Sequence, residues 1–205
     1  MSLFPAFLKL DARQILIVGG GTLASSKIPG LLQAGARVRI VSPQINADLA
    51  EKVRNREIEW LPKLFSPNDL DGAFLVIAAT ALRDVNAAVY READRRGILC
   101  NAVDDLENCH FYYGSIVQRG DLQIAVSTNG KSPALAQRLR KEFEQQFGPE
   151  YSAWLEWLGA AREALRSQFN DPASTKHCLH LLASRLMFEK FMQQSRASNS
   201  KEGVA

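Results

Sequence analysis

The first half of the chain alternates between two kinds of hydrophobic pattern. Mostly apolar runs of strand length stand at 14–18 and 73–80, with further apolar or alternating stretches at 37–42, 58–61 and 98–103. Between them apolar residues recur at helical spacing: Ala24, Ile28, Leu31 and Leu32, then residues 45–53, then Val85, Ala88, Val89 and Ala93 within 82–96. Gly97 follows, where a glycine commonly ends a helix. Residues 65–70 read as a loop with a short helical turn. Strands that are apolar throughout suit a parallel sheet covered on both faces, and the alternation of strand and helix predicts a doubly wound one. Phe4, Phe7 and Leu8, ahead of the first strand, are expected to pack against that sheet.

The pattern changes near residue 110. Residues 111–117 and 122–126 read as strands, and Gln118-Arg119-Gly120-Asp121 between them is a hairpin turn signal. A polar loop, 127–133, ends in Ser132 and Pro133, an N-cap followed by a first helical residue. Leu135, Leu139, Phe143 and Phe147 then recur every four residues, and Gly148 closes the helix. Residues 151–169 and 175–194 read as two further helices separated by Asn170-Asp171-Pro172, and the polar ending, 196–205, is expected to fray. The expected domains are 1–113, 114–148 and 149–205. One hairpin and one helix cannot close a core, so segment 114–148 needs a further surface. A second subunit in a homodimer supplies one; the chain's own sheet is the alternative.

Composition narrows the class. A chain of 205 residues, 46% hydrophobic and 23% charged, can build a globular core. No apolar run approaches the length that spans a bilayer, and the first residues lack a signal-peptide pattern. Cys100, Cys109 and Cys178 are odd in number and widely spaced, which fits a reducing compartment better than a disulfide framework. The expectation is a cytoplasmic protein with no membrane partner. A net charge of +3 does not point to nucleic acid, and it is compatible with an anionic small substrate where cations cluster.

The junction of the first strand and helix carries the candidate chemistry. Gly19, Gly21 and Ala24 fit the G-x-G-x-x-G/A dinucleotide fingerprint, and the strand–helix–strand unit has the expected length of about 30 residues. Gly19 permits the tight turn, Gly21 lets backbone approach a pyrophosphate, and Ala24 lets helix and strand pack closely. The helix N-terminus then offers N–H groups to the phosphates. This is a Rossmann-type parallel sheet, with ligands expected at the strand ends near Gly19, Ser42, Thr80 and Asn101. The acid that usually binds the ribose hydroxyls is missing after the second strand, where Val41-Ser42-Pro43-Gln44 stands. Ser42 and Gln44 can bond a ribose instead. NAD is favoured over NADP, because Arg39 is the nearby cation and strand alternation points it away.

Asp104 and Asp105 follow the fifth strand, at the ligand edge of the sheet. On an extended segment two adjacent acids point to opposite sides. Asp104, continuing the strand, is taken as the catalytic carboxylate, against the plainer reading of a turn or cap residue. Lys131, Arg138, Arg140 and Lys141 gather where the polar loop meets its helix, either as a solvated face or as carboxylate-binding cations. His177, Cys178 and His180 share a helix without a third ligand at metal spacing, so no metal site is expected.

Taken together, Pro5-x-Phe7 ahead of Leu16-Ile17-Val18-Gly19-Gly20-Gly21, then Ala78-Ala79-Thr80, Asn101-Ala102-Val103-Asp104, Phe111-Tyr112-Tyr113-Gly114-Ser115 and Ser127-Thr128-Asn129-Gly130-Lys131-Ser132-Pro133, have a specific order and spacing. In these the chain resembles the precorrin-2 dehydrogenase family, which includes the N-terminal module of siroheme synthase, over roughly residues 3–195. The resemblance implies a homodimer of three-part subunits: a Rossmann domain, a small α+β dimerisation domain and a C-terminal helical domain. It implies NAD-dependent oxidation of precorrin-2 to sirohydrochlorin, with Asp104 where the family has its essential carboxylate. Thr22, Leu23, Pro43 and Gln44 stand where the family contacts NAD, and Thr128, Lys131 and Arg138 are the substrate-binding candidates. Some members also insert iron into sirohydrochlorin, which makes a bifunctional dehydrogenase and ferrochelatase the alternative. A redox-sensing NAD-binding regulatory domain is a third class, and it calls for the missing acid after the second strand. The chain departs from the family at Thr22, often acidic, at Leu23, often valine, and at Thr128, a phosphorylatable serine in some bifunctional members. The methyltransferase module of the larger fusion enzymes has no counterpart in these residues.

Overall fold

A computed structural model of the chain describes residues 3–168 and 171–202, with side chains to residue 195. The chain divides into two compact units, Met1–Tyr113 and Gly114–Ala205.

The first unit is built on five parallel strands: β1 (Gln14–Val18), β2 (Arg37–Val41), β3 (Glu59–Leu61), β4 (Leu75–Ala78) and β5 (Leu99–Ala102). Their order across the sheet is β3-β2-β1-β4-β5. Helices α1 (Thr22–Gln33), α2 (Ala47–Arg54) and α3 (Arg83–Arg95) make the crossovers. Strand alternation divides the core in two. Ile15, Ile17, Ile40, Leu75 and Ile77 face Ile28 and Leu31 of α1 and Leu49 of α2. Leu16, Val18, Val41, Val76 and Ala78 face Val89 and Ala93 of α3. Both faces are therefore covered, as the apolar strands required. Gly97 ends α3 with φ +68°. Its N–H reaches the carbonyl of Asp94, and that of Ile98 reaches Ala93, at 3.0 and 2.9 Å, the paired bonds of a Schellman motif.

Three expectations fail here. Phe4 and Phe7 are 90% and 69% exposed and Leu8 is exposed too; Leu10 is the residue of this segment that enters the core. The strand expected over 111–117 begins only at Ser115, because Phe111 is held in the first unit: the Asn101 amide donates to its carbonyl at 2.8 Å and its ring packs on the core. Asp104 does not continue β5, which ends at Ala102; it sits in a turn with φ +61°.

The second unit opens with an antiparallel hairpin, β6 (Ser115–Arg119) and β7 (Leu122–Val126), followed by α4 (Pro133–Gln146), α5 (Glu150–Gln168), α6 (Pro172–Leu182) and α7 (Arg185–Glu202). Ser132 caps α4 as its sequence requires, its hydroxyl accepting from the Leu135 N–H. Arg119 closes the other end of α4 by donating to the carbonyls of Phe147 and Glu144 at 2.9 and 3.2 Å. Those carbonyls belong to the last turn, where no backbone partner exists. Aromatic contacts run from Phe143 through Phe147, Tyr151, Phe188 and Trp154 to Phe191 and tie α4, α5 and α7 together.

The single helix expected over 175–194 is two. Ser184 interrupts it, its carbonyl and hydroxyl both accepting N–H groups of the first turn of α7. Asp171 starts α6 three residues early by accepting from the N–H groups of Ala173 and Ser174. α7 continues through the polar ending to Glu202, since a started helix extends with one hydrogen bond per residue. Phe169 and Asn170, and the ending beyond Glu202, lie outside the described residues.

Candidate functional site

The carboxyl ends of β1, β2 and β4 enclose a cleft of about 630 Å³. Its floor is the turn Gly19-Gly20-Gly21. Gly19 has φ +123°, and a Cβ there would overlap the Ala79 carbonyl, so the turn runs directly against the end of β4. Gly20 is the middle glycine, which the fingerprint leaves free. A Cβ there would overlap the Gln44 carbonyl oxygen and come within 2.8 Å of Ser42 Oγ. The Gly20 carbonyl also accepts from the Asn46 N–H at 2.9 Å. The loop after β2 thus lies on the glycine turn, and the missing side chain is what lets it.

Gly21 differs: a Cβ on it meets nothing within 4 Å. Gly21 is the N-cap of α1, no side chain caps that helix, and its first turn holds no acid. The N–H groups of the first turn therefore point, with the positive end of the helix dipole, into open space large enough for a diphosphate. The residues present fit a dinucleotide on this observation.

The walls follow from two small hydrogen-bond devices. Ser42 is buried; its hydroxyl donates to the Gln44 carbonyl at 2.6 Å, and its own carbonyl accepts from Trp60 Nε1 at 2.9 Å. Ser42 thus shapes the loop that presents Pro43 and Gln44. Opposite, Asn86 of α3 is 4% exposed and fastens residues 80–82. Its Oδ1 accepts from the Thr80 N–H and hydroxyl at 3.2 and 2.7 Å, and its Nδ2 donates to the Thr80 carbonyl at 3.0 Å. Among the described residues no charged side chain lines the cleft; besides backbone it offers Thr22, Leu23, Gln44, Asn46, Phe65, Leu82 and Val85.

The structure brings Gly19, Gly21, Thr22, Leu23, Ser42, Pro43, Gln44 and Thr80 to one cleft. Asn101 is not among its lining: it is 7% exposed and its amide is spent on Phe111. Asp104 stands exposed at the same edge of the sheet, beyond β5, with no hydrogen-bond or ionic partner among the described residues. Asp105 is engaged, its Oδ2 accepting from Asn108 Nδ2 at 2.7 Å. The two acids are distinguished by a turn and a bond rather than by strand alternation.

In the second unit Thr128 Oγ1 accepts from the Ser132 N–H at 3.1 Å, Lys131 is exposed, and Arg138 lies 3.6 Å from Glu142 along α4. Sequence reasoning missed Gly20, Asn46 and Asn86. Gly20 stands between two fingerprint glycines, but its reason, the Gln44 carbonyl, is distant in sequence; Asn86 left no signal, because an amide six residues from its partner matches no motif. Among the described residues no group of three or more His, Cys, Asp or Glu comes together as metal ligands, and no helix is long and apolar enough to cross a membrane.

Residues 6–115 match a family model described as "Putative NAD(P)-binding", and residues 119–146 one described as "Sirohaem biosynthesis protein central". The chain is 40% identical over 169 residues to siroheme synthase 3 of Aeromonas hydrophila, covering 82% of this chain and 36% of that protein. It is 43% identical over 170 residues to the siroheme synthase of Methylobacillus flagellatus, covering 83% and 36%. It thus spans little more than a third of the length of these relatives. The solved structure of SirC, precorrin-2 dehydrogenase, superposes with a TM-score of 0.76 at 26% identity, over 94% of this chain and 98% of that one.

Proposed function

The chain belongs to the NAD(P)-binding family whose model its residues 6–115 match, and on that premise we propose that it oxidises precorrin-2 to sirohydrochlorin with NAD as hydride acceptor, a step in siroheme synthesis. The observation that carries this reading is the near end-to-end likeness to a precorrin-2 dehydrogenase. The uncapped N-terminus of α1 above the glycine turn supports it. NAD, rather than NADP, suits the cleft. Arg39 is paired with Glu59 at 2.7 Å and Lys63 with Asp69 at 2.5 Å, and no lining cation meets a 2′-phosphate.

Bound NAD supplies a nicotinamide that accepts two electrons and one proton as hydride. The first-turn N–H groups of α1 hold the pyrophosphate, and Gln44 offers its amide to the ribose. Asp104 takes the second proton that leaves the macrocycle, so the products are sirohydrochlorin, NADH and a protonated Asp104. Its freedom from partners leaves the carboxylate able to do this, while Asp105 is bonded to Asn108. Thr128, Lys131 and Arg138 receive substrate carboxylates. Subunits pair through 114–148, where Ile116 of the hairpin and Leu135 of α4 stand 47% and 40% exposed. The unpaired cysteines suit work in the cytoplasm.

Anaerobic incubation of the protein with precorrin-2 and NAD should yield NADH and sirohydrochlorin in equal amounts. No NADH from a protein that still binds NAD overturns the reaction and leaves the cofactor site standing. Sirohydrochlorin with ferrous iron, in a parallel vessel, tests the chelatase activity of the bifunctional alternative.

A further inference from the structure

The second unit holds a groove that the dehydrogenase reading does not use. α5 and α6 pack against each other and leave between them a space of about 610 Å³. Pro172, Thr175, Leu179 and Ala183 line it together with four basic residues, Arg162 and Arg166 from α5 and Lys176 and His180 from α6. On each helix the two basic residues are four apart, so both pairs project along one face, one above the other.

Among the described arginines of this unit, the two in the groove are the ones without partners. Arg138, Arg140 and Arg185 each have a glutamate four residues on and pair with it. Arg119 is spent on carbonyls. Arg162, Arg166, Lys176 and His180 have no hydrogen-bond or ionic partner among the described residues. Where a helix elsewhere carries the compensating glutamate, α5 places Arg166 four residues after Arg162 and α6 places His180 four residues after Lys176. Like charges at that spacing destabilise a helix slightly. Arg162 and Arg166 form such a pair, and with Lys176 and His180 across the groove, above apolar residues, they make a surface that a multiply anionic ligand compensates.

We propose that this groove binds a small polycarboxylate with an apolar body. Carboxylates are favoured over a phosphate cluster by the start of α6. A phosphate is best met by free N–H groups at a helix N-terminus. Here Asp171 already accepts those of Ala173 and Ser174, at 3.2 and 2.9 Å. Recognition is left to side chains at separated points, two on each wall. That matches carboxylates spread around a frame whose apolar part rests on Pro172, Leu179 and Ala183. Arginine's planar fork adds a bidentate grip on each carboxylate it meets. The site lies wholly in the second unit and does not depend on the reading of the cleft.

The test uses the full chain and mellitate, benzenehexacarboxylate, as probe. Titration calorimetry should show binding that weakens about tenfold or more in the double variant Arg162→Gln/Arg166→Gln, and also in Lys176→Gln. Both sets are exposed, and circular dichroism checks that they keep their helical content; if the double variant loses it, Lys176→Gln and Arg166→Gln alone carry the test. Arg185→Gln, on the surface of α7, should leave binding unchanged, as should saturation with NAD. An equal loss in Arg185→Gln overturns the site as general charge attraction. Displacement by NAD overturns its independence from the cleft. Tighter binding of ATP than of mellitate overturns the ligand class, and no binding by the unaltered protein overturns the proposal entirely.

Discussion

Gly20 and Gly21 are adjacent and have opposite tolerances. A methyl group on Gly20 strikes the Gln44 carbonyl, which is backbone and is held in place by Ser42. Gly20→Ala should therefore cost about 1–3 kcal/mol, the usual range for overpacking, read as a lower unfolding midpoint. Gly21→Asp should leave that midpoint unchanged or slightly raised, because the position is open and an N-cap aspartate is favourable there. The same carboxylate would take the N–H groups that the proposed site offers to the pyrophosphate, and repel it. NAD affinity should fall more than tenfold by calorimetry; wild-type affinity in Gly21→Asp removes the site assignment. Asp104 is tested by asparagine rather than alanine, since asparagine tolerates the left-handed backbone that Asp104 adopts. Asp104→Asn should lose about 10²–10⁴-fold in turnover, the range of a general base, while folding and NAD binding persist. Asp105→Asn should retain most turnover, and normal turnover in Asp104→Asn returns that residue to a turn role. Asp104 was legible by its place after a strand, but side chains alternate between faces only along extended backbone, and Asp104 sits in a turn. Gly19 and Gly21 were legible because their reasons are local. Gly20 and Asn86 were not, because each answers to a partner at least six residues away.

Among the elements, the 3₁₀ turn Pro67–Leu70 has the clearest electrostatic signature. Asp69 is 8% exposed and accepts from the N–H and hydroxyl of Ser66 at 2.8 and 3.1 Å. Burial pushes its pKa up, but the bonds from Lys63 and Ser66 outweigh this and hold the carboxyl below its ordinary value. A depressed folded pKa means stability that is present above the unfolded value and lost as pH falls through the folded one. Unfolding midpoints should therefore drop as pH is lowered below about 4, and Asp69→Asn should reduce that dependence and cost about 1–2 kcal/mol at neutral pH. An unchanged acid limb in Asp69→Asn would show that other carboxyls set it. Phe65, next to this turn, lines the cleft, so loosening the turn should also weaken NAD binding. The apolar runs of β1 and β4, and the helical periodicity and Ser132 cap of α4, were readable from the chain. The break between α6 and α7 was not, since Ala183-Ser184 carries neither glycine nor proline and Ser184 caps only in context.

For the whole molecule, the prediction is assembly. The outward face of the hairpin carries Ile116 opposite Ala125, and Leu135 is exposed on α4. Light scattering should report a dimer at micromolar concentration, and Ile116→Glu should shift it toward monomer without unfolding it; a wild-type monomer removes the dimer. The cleft has a consequence of another kind. On the proposed reading it would meet a twice-charged diphosphate with peptide dipoles and neutral side chains, so few mobile ions would be bound there to be set free. Raising ionic strength from about 0.05 M to about 0.5 M shortens the screening length roughly threefold. That change should alter the NAD dissociation constant by no more than about twofold, whereas a groove lined by arginine and lysine should lose its ligand over the same span. Cofactor occupancy would then stay constant through changes in cell osmolarity that alter every contact made by ionised side chains.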